Sequence, residues 1–164
     1  MDAKPAETAI NFYSTAGEYG CFSNFSRHSI YLNGKRWPTS EHYFQAQKFV
    51  GTPRCEQIRR AQSPRNAAHM GRSRQHPLRS DWEQVKDDVM LKAVLKKFET
   101  HADIRAILLE TGNERIIESA PSDYYWGCGS DGSGKNKLGL ILMRVRGILR
   151  EREPEESIGE VPHC

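Results

Sequence analysis

The sequence predicts an α+β fold, a mostly helical single domain with a few short strands. Three observations carry this. The chain has 164 residues, a length that favours one domain able to bury a core without metals or disulfides. Its longer segments repeat apolar residues at helical spacing, whereas the strand-like runs are only a few residues long. No internal repeat and no linker divides it, so residues 10–152 read as the domain, between a loose arm at 1–9 and a polar, proline-containing tail at 153–164 expected to be disordered.

In order, "INFYS" reads as a short strand and "YGCFSNFS" as an aromatic loop. "SIYLNGKRWP" carries the Asn33-Gly34 hairpin signal between strand-like runs. A helix follows over about 39–50, with Pro38 before it and Thr39 or Ser40 as its cap. "TPRCEQIRRAQ" and "SPRNAAHMGRS" each place proline after a Thr or Ser cap, so both are short helices. "SDWEQVKDDVMLKAVLKKFETH" is the longest helix. Trp82, Val85, Val89 and Ala93 share one stripe while Leu91, Leu95 and Phe98 share nearly the opposite one, the pattern of a helix packed on several sides. "ADIRAILLETG" is a helix stopped by Gly112, "ERIIESA" is strand-like, and "PSDYYWGCGSDGSGKNK" is a long loop. The last helix begins at "KLGLILMRVRG", with Leu138, Ile141, Leu142, Val145 and Leu149 at core spacing.

Composition excludes several classes. No apolar run is long enough to span a membrane, and the first residues lack the apolar core of a secretory signal. Four scattered cysteines with no C-x-x-C pair argue against a zinc site or a disulfide framework, so a reduced cytoplasm is the expected setting. The histidines form no ligand set, and no metal is expected to be needed. There is no G-x-S-x-G elbow. Net charge is only +3, but residues 54–79 hold seven arginines, Arg72 among them, against the single acid Glu56. That suits an anionic ligand, although a solvated basic face is the plainer reading.

Three stretches could carry chemistry. "GSDGSGKN" follows the phosphate-loop pattern until Asn136 replaces the magnesium-binding hydroxyl, and no buried strand precedes it. Its glycines and Lys135 could still cradle an anion, or the loop could be plain surface. Trp37, Trp82 and Trp126 stand at element ends. Such rings can stack on a flat base but are more often core plugs, the role favoured for Trp82. Finally, Glu41, Gln45 and Lys48 fall on one narrow helical stripe, which spacing alone reads as a wet face. Against that, Phe44 and Phe49 leave this helix little free surface, and a carboxylate beside an amine suits acid–base or Schiff-base chemistry.

Five stretches in fixed order then become decisive: "FYSTAGEYGCFSNF", "WPTSEHYFQAQKF", "AAHMGRSR", "DWEQVKDDVMLKAVLKKF" and "YWGCGSDGSGKNKLGLILMRVR". Together, over about residues 10–150, they resemble the NADAR family, and most closely its stand-alone, YbiA-like bacterial branch. The resemblance implies a single α+β domain that cleaves N-glycosidic bonds without a cofactor. The implied substrates are ribosylamino-pyrimidine 5′-phosphates of riboflavin biosynthesis, cleaved to ribose 5-phosphate and a free aminopyrimidine. Alternatives are an ADP-ribosylated guanine in nucleic acid, or ADP-ribose binding without turnover. It also implies Schiff-base chemistry at a lysine, for which Lys48 is preferred to Lys135. With it go Glu41 as general acid/base or cation stabiliser and Asp123 orienting a ribose hydroxyl. Trp37 and Trp126 would then bind the base, Asn136 the ligand, and Arg72 and Lys135 the phosphate.

Overall fold

A computed structural model describes residues 8–152. The elements run β1 (Ala9–Phe12), β2 (Ile30–Leu32), β3 (Lys35–Trp37), α1 (Ser40–Gln47), α2 (Pro53–Arg59), α3 (Pro64–Arg72), α4 (Trp82–Thr100), α5 (Ala102–Glu110), β4 (Arg115–Glu118) and α6 (Lys137–Arg152). A short 3₁₀ turn, Gly20–Phe22, interrupts the loop expected between β1 and β2. The strand expected from Ile10 begins one residue earlier, at Ala9. The rest of the expected arm, residues 1–7, and the tail at 153–164 lie outside the described residues.

The strands form two separate pairs. β2 and β3 make the expected antiparallel hairpin, with Asn33 and Gly34 both at positive φ (55° and 74°), as a two-residue turn between right-twisted strands requires. β1 pairs in parallel with β4, setting Ile10 opposite Ile116 and Phe12 opposite Glu118. That parallel pair ties the first strand to the last third of the chain, and α6 packs on β4.

The helix at 39–50 is shorter than its pattern suggested. It ends at Gln47, and Lys48 to Val50 form a turn closed by Gly51 at φ +80°. Thr39 caps it, its hydroxyl accepting the His42 N–H at 3.2 Å. α2 and α3 take proline in their first turn, as expected. Only Ser63 of α3 makes the side-chain cap, accepting from Asn66 N at 3.0 Å, whereas Thr52 donates its hydroxyl to Phe49 O at 2.7 Å. α4 is packed on several sides, as its two apolar stripes predict, touching α1, α5, α6 and β2. In α6, Leu138, Ile141, Leu142, Val145 and Leu149 are all buried.

The largest departure from the pattern is α1, in which every residue from Ser40 to Gln47 is buried. α2 and α3 cover one side and α4 another. A helix enclosed this way carries polar side chains inward only if they meet partners or a cavity. No helix among the described residues is long and apolar enough to cross a membrane.

Candidate active site

The polar row of α1 meets a cavity of about 810 Å³. Its walls come from α1, α3, α4, the loops flanking the 3₁₀ turn, and the end of β4 with the segment after it. Glu41, Gln45 and Lys48 all line it, with only 7%, 4% and 7% of their surface exposed. The solvated-face reading of this stripe is therefore wrong, because neighbouring helices close over the space that water would occupy.

Local geometry fixes each member of the row. Asn24 anchors the helix start: its backbone carbonyl accepts from Glu41 N at 3.3 Å and its side-chain oxygen from the Ser40 hydroxyl at 2.9 Å. Gln45 donates to Glu41 Oε1 at 2.8 Å, which orients the carboxylate one turn down. α3 can approach because residue 71 is glycine. A Cβ there would lie 2.0 Å from Gln45 Oε1. The Lys48 amine donates to Gly71 O at 3.4 Å and lies 5.7 Å and 5.9 Å from the ring centroids of Phe44 and Trp82.

This environment alters both ionisable groups. Burial lowers the Lys48 pKa to about 8; the positive charges of Arg74, Arg72 and Lys86 add to this and Glu41 opposes it. A tenth or so of the amine is thus uncharged at pH 7, far more than for an ordinary lysine. Burial raises the Glu41 pKa, assisted by Asp123 and opposed by the Gln45 hydrogen bond, Arg72 and Lys48.

A second wall comes from the chain after β4. Asp123 lines the cavity, and its Oδ1 accepts from Trp126 N at 2.8 Å and Tyr125 N at 3.0 Å, which shapes the turn. Trp126 lines it too, edge-on to Phe44 and Tyr125 at centroid distances of 5.2 and 4.8 Å. Arg72 contributes from the end of α3 with an exposed side chain. Trp82, read as core, is buried and also faces the cavity.

Three expected ligand contacts are not placed at the cavity. Trp37 is 2% exposed, edge-on to Tyr43 at 5.2 Å, and donates its indole N–H to Leu32 O at 3.0 Å; it is a core plug. Lys135 is exposed outside the cavity lining, its amine 5.3 Å from the Tyr125 ring centroid. Asn136 is buried at φ +49° and staples the loop to β4, accepting from Glu118 N and donating to Ile116 O, both at 2.9 Å. The glycine loop is no anion cradle. The backbone N–H groups of Gly129, Gly132, Gly134, Lys135 and Asn136 already donate to backbone carbonyls, and those of Ser130 and Ser133 to side chains. Asn136→Ala should therefore lower stability by roughly 2–4 kcal/mol, since it strands two buried backbone groups. Thermal melting checks this, and an unchanged melting temperature would contradict the staple.

Other lining residues were not singled out from sequence. Glu118 ends β4 with Oε2 enclosed and without a hydrogen-bond partner among the described residues. Lys86 lies 3.9 Å from the Tyr125 ring centroid. Both had a signal. Glu118 is two residues from buried Ile116 on a strand, hence on the same face, and Lys86 is four residues from Trp82 on a helix. No three His, Cys, Asp or Glu side chains among the described residues are grouped to hold a metal ion.

Comparison with known proteins places these features in context. Residues 11–150 match the NADAR domain. The chain is 55% identical over 140 residues to N-glycosidase YbiA of Escherichia coli (strain K12), covering 85% of this chain and 88% of that protein. It is 41% identical over 177 residues to the Zea mays riboflavin biosynthesis protein PYRR, chloroplastic, covering 98% of this chain but 27% of that longer protein. Among solved structures it is similar to the NMR structure of E. coli YbiA, with a TM-score of 0.82, 51% identity and 92% coverage of each chain.

Proposed function

The chain belongs to the NADAR family, and from that membership we propose that it is an N-glycosidase that hydrolyses ribosylamino-pyrimidine 5′-phosphates of riboflavin biosynthesis. The products are ribose 5-phosphate and a free aminopyrimidine. The names of its relatives support this: the E. coli protein is an N-glycosidase and the maize protein a riboflavin biosynthesis protein. The observation that carries it is the buried row of Glu41, Gln45 and Lys48 opening into a cavity large enough for a sugar phosphate and one heterocycle.

The chemistry follows from the bond. A ribosylamine opens when its nitrogen lone pair forms an iminium to C1′ and the ring oxygen takes the proton of the Glu41 carboxyl, leaving Glu41 as the carboxylate. Uncharged Lys48 adds to C1′, the pyrimidine amine departs, and C1′ is held as an imine to Lys48. Water then adds and releases ribose 5-phosphate. Glu41 stabilises the positive charge on the C1′ iminium and removes the proton Lys48 sheds on addition. Burial raises its pKa, which makes it a stronger proton acceptor than an ordinary carboxylate. Gln45 holds that carboxylate in place. Arg72 and Lys86 supply positive charge for the phosphate, and Trp126 a flat face for the pyrimidine. Asp123 shapes the turn that presents Trp126 and can take a ribose hydroxyl with its second oxygen.

The experiment offers the enzyme both ribosylaminopyrimidine phosphates and, separately, an ADP-ribosylated guanine oligonucleotide. Ribose 5-phosphate released from the pyrimidines is the expected result. Turnover of the oligonucleotide alone would move the substrate to nucleic acid, and binding without release would leave an ADP-ribose-binding module. We place the reaction in the cytoplasm, a setting in keeping with the free thiols of Cys21, Cys55 and Cys128.

A further inference from the structure

Building on the proposed N-glycosidase reaction, we infer that Glu118 is the acid that protonates the departing pyrimidine nitrogen. The mechanism above needs such a donor and assigns none. Glu118 is rigidly placed for the task. It ends β4, its N–H held by Asn136 Oδ1 and its carbonyl accepting from Cys128 N, each at 2.9 Å. Its side chain lines the same cavity as Lys48 and Glu41.

The other carboxylates at the cavity have visible tasks. Glu41 accepts from Gln45, and Asp123 accepts from two backbone N–H groups. Glu118 Oε2 is enclosed and has no partner among the described residues. An enclosed carboxylate oxygen with no partner is costly to keep ionised, which favours the protonated acid, while the half-buried residue still lines the cavity. The charged groups around it agree. Glu41 of α1 and Asp123 of the following loop are acidic, while Lys48, Arg72 of α3 and Lys86 of α4 supply the cavity's cations. Burial, with Asp123 and Glu41 adding to it, pushes the Glu118 pKa up to about 7, so half of it is protonated at neutral pH where an ordinary carboxyl is not.

The step balances as follows. When C1′ carries both the Lys48 nitrogen and the pyrimidine nitrogen, Glu118 gives its proton to the latter. The C1′–N bond to the pyrimidine breaks and its electron pair stays on that nitrogen. The Lys48 lone pair forms the C1′=N bond. The Glu118 carboxylate then regains a proton from solvent, which restores the acid, while the protons of imine hydrolysis pass through Glu41.

Glu118→Gln tests the assignment against wild type in three readouts. The first is turnover of the ribosylaminopyrimidine phosphates across pH. An acid needed protonated near 7 and an amine needed uncharged near 8 give wild type a bell-shaped kcat/KM with its maximum between them. The variant should lose ~10²–10⁴-fold and also lose the alkaline limb, rising through about pH 8 to a plateau. The second is leaving-group dependence: ribosides of more acidic amines should suffer a smaller loss, which a structural defect would not produce. The third is borohydride trapping of ribose 5-phosphate on the enzyme, which needs Lys48 but no departing pyrimidine. It should stay within about threefold of wild type.

Folding is controlled by melting at pH 8. A carboxyl with a raised pKa loses native stability as pH climbs toward 7, and the amide escapes this, so the variant should melt no lower than wild type. An active wild type with unchanged turnover and alkaline limb in Glu118→Gln overturns the assignment alone. Joint loss of trapping and melting temperature also overturns it, making Glu118 structural. A wild type that releases no ribose 5-phosphate overturns the N-glycosidase reading and this assignment together.

Discussion

Lys48→Arg should abolish turnover, with a loss of roughly 10⁴- to 10⁶-fold, the scale on which removal of a covalent nucleophile is felt. The substitution keeps a cation at the end of α1, so the charge balance around Glu41 and the contact with the Gly71 carbonyl have a replacement. What it removes is a nitrogen that can lose a proton and bond to carbon near neutral pH. The native amine has that capacity because burial and the positive charge of Arg74, Arg72 and Lys86 bring its pKa down to about 8. The sign follows directly. A lysine whose folded pKa is lowered opposes folding while it is protonated, so its burial weakens the native state below about pH 8 and relaxes above it. The uncharged fraction of the amine grows as pH climbs toward 8, so Lys48 sets the ascending limb of the kcat/KM profile. A Lys48→Arg enzyme with near-wild-type turnover would exclude the covalent route and leave direct hydrolysis assisted by Glu41.

Glu41→Gln should lower kcat by ~10²–10⁴-fold with little change in melting temperature. The side chain is nearly isosteric and lies in a cavity wall, so packing survives. The Gln45 hydrogen bond to its oxygen can persist. The lost charge has a second consequence. Glu41 is the group that pulls the Lys48 pKa upward against burial and the neighbouring arginines. Without it the amine should lose its proton at lower pH, and the ascending limb of the kcat/KM profile should move to lower pH in the residual activity. A residual activity whose ascending limb stays in place would mean that Glu41 and Lys48 are not coupled.

How much of this was legible in the sequence differs from element to element. The hairpin at Asn33-Gly34, the proline-started helices and the core stripe of α6 follow from local rules, because backbone geometry decides them within a few residues. The Glu41, Gln45, Lys48 row was also visible, but spacing could not say whether water or protein lay beyond it. That depended on α3, whose approach requires the bare Cα of Gly71. Asn136, Lys135 and Trp37 show the opposite failure. Each is a residue type that ligands favour, yet its role is set by partners distant in sequence or by packing. Asn136 answers to Ile116 and Glu118, and Trp37 to Tyr43 and the Leu32 carbonyl. The glycine loop looked open to an anion because nothing in its sequence reveals that carbonyls of the preceding residues 120–129 and the side chains of Tyr124 and Asp131 take up its N–H groups. Glu118 was passed over as one polar end of a strand, although its place two residues from Ile116 turns it inward.

The central claim is a covalent bond between Lys48 and C1′ of the sugar. Sodium borohydride added during turnover of a ribosylaminopyrimidine phosphate, followed by peptide mapping by mass spectrometry, tests it most directly. The predicted result is a reduced adduct of ribose 5-phosphate on the peptide carrying Lys48, absent from Lys48→Arg and absent when substrate is withheld. An adduct on another lysine such as Lys135, or an enzyme that turns over at full rate in borohydride and carries no adduct, would contradict it.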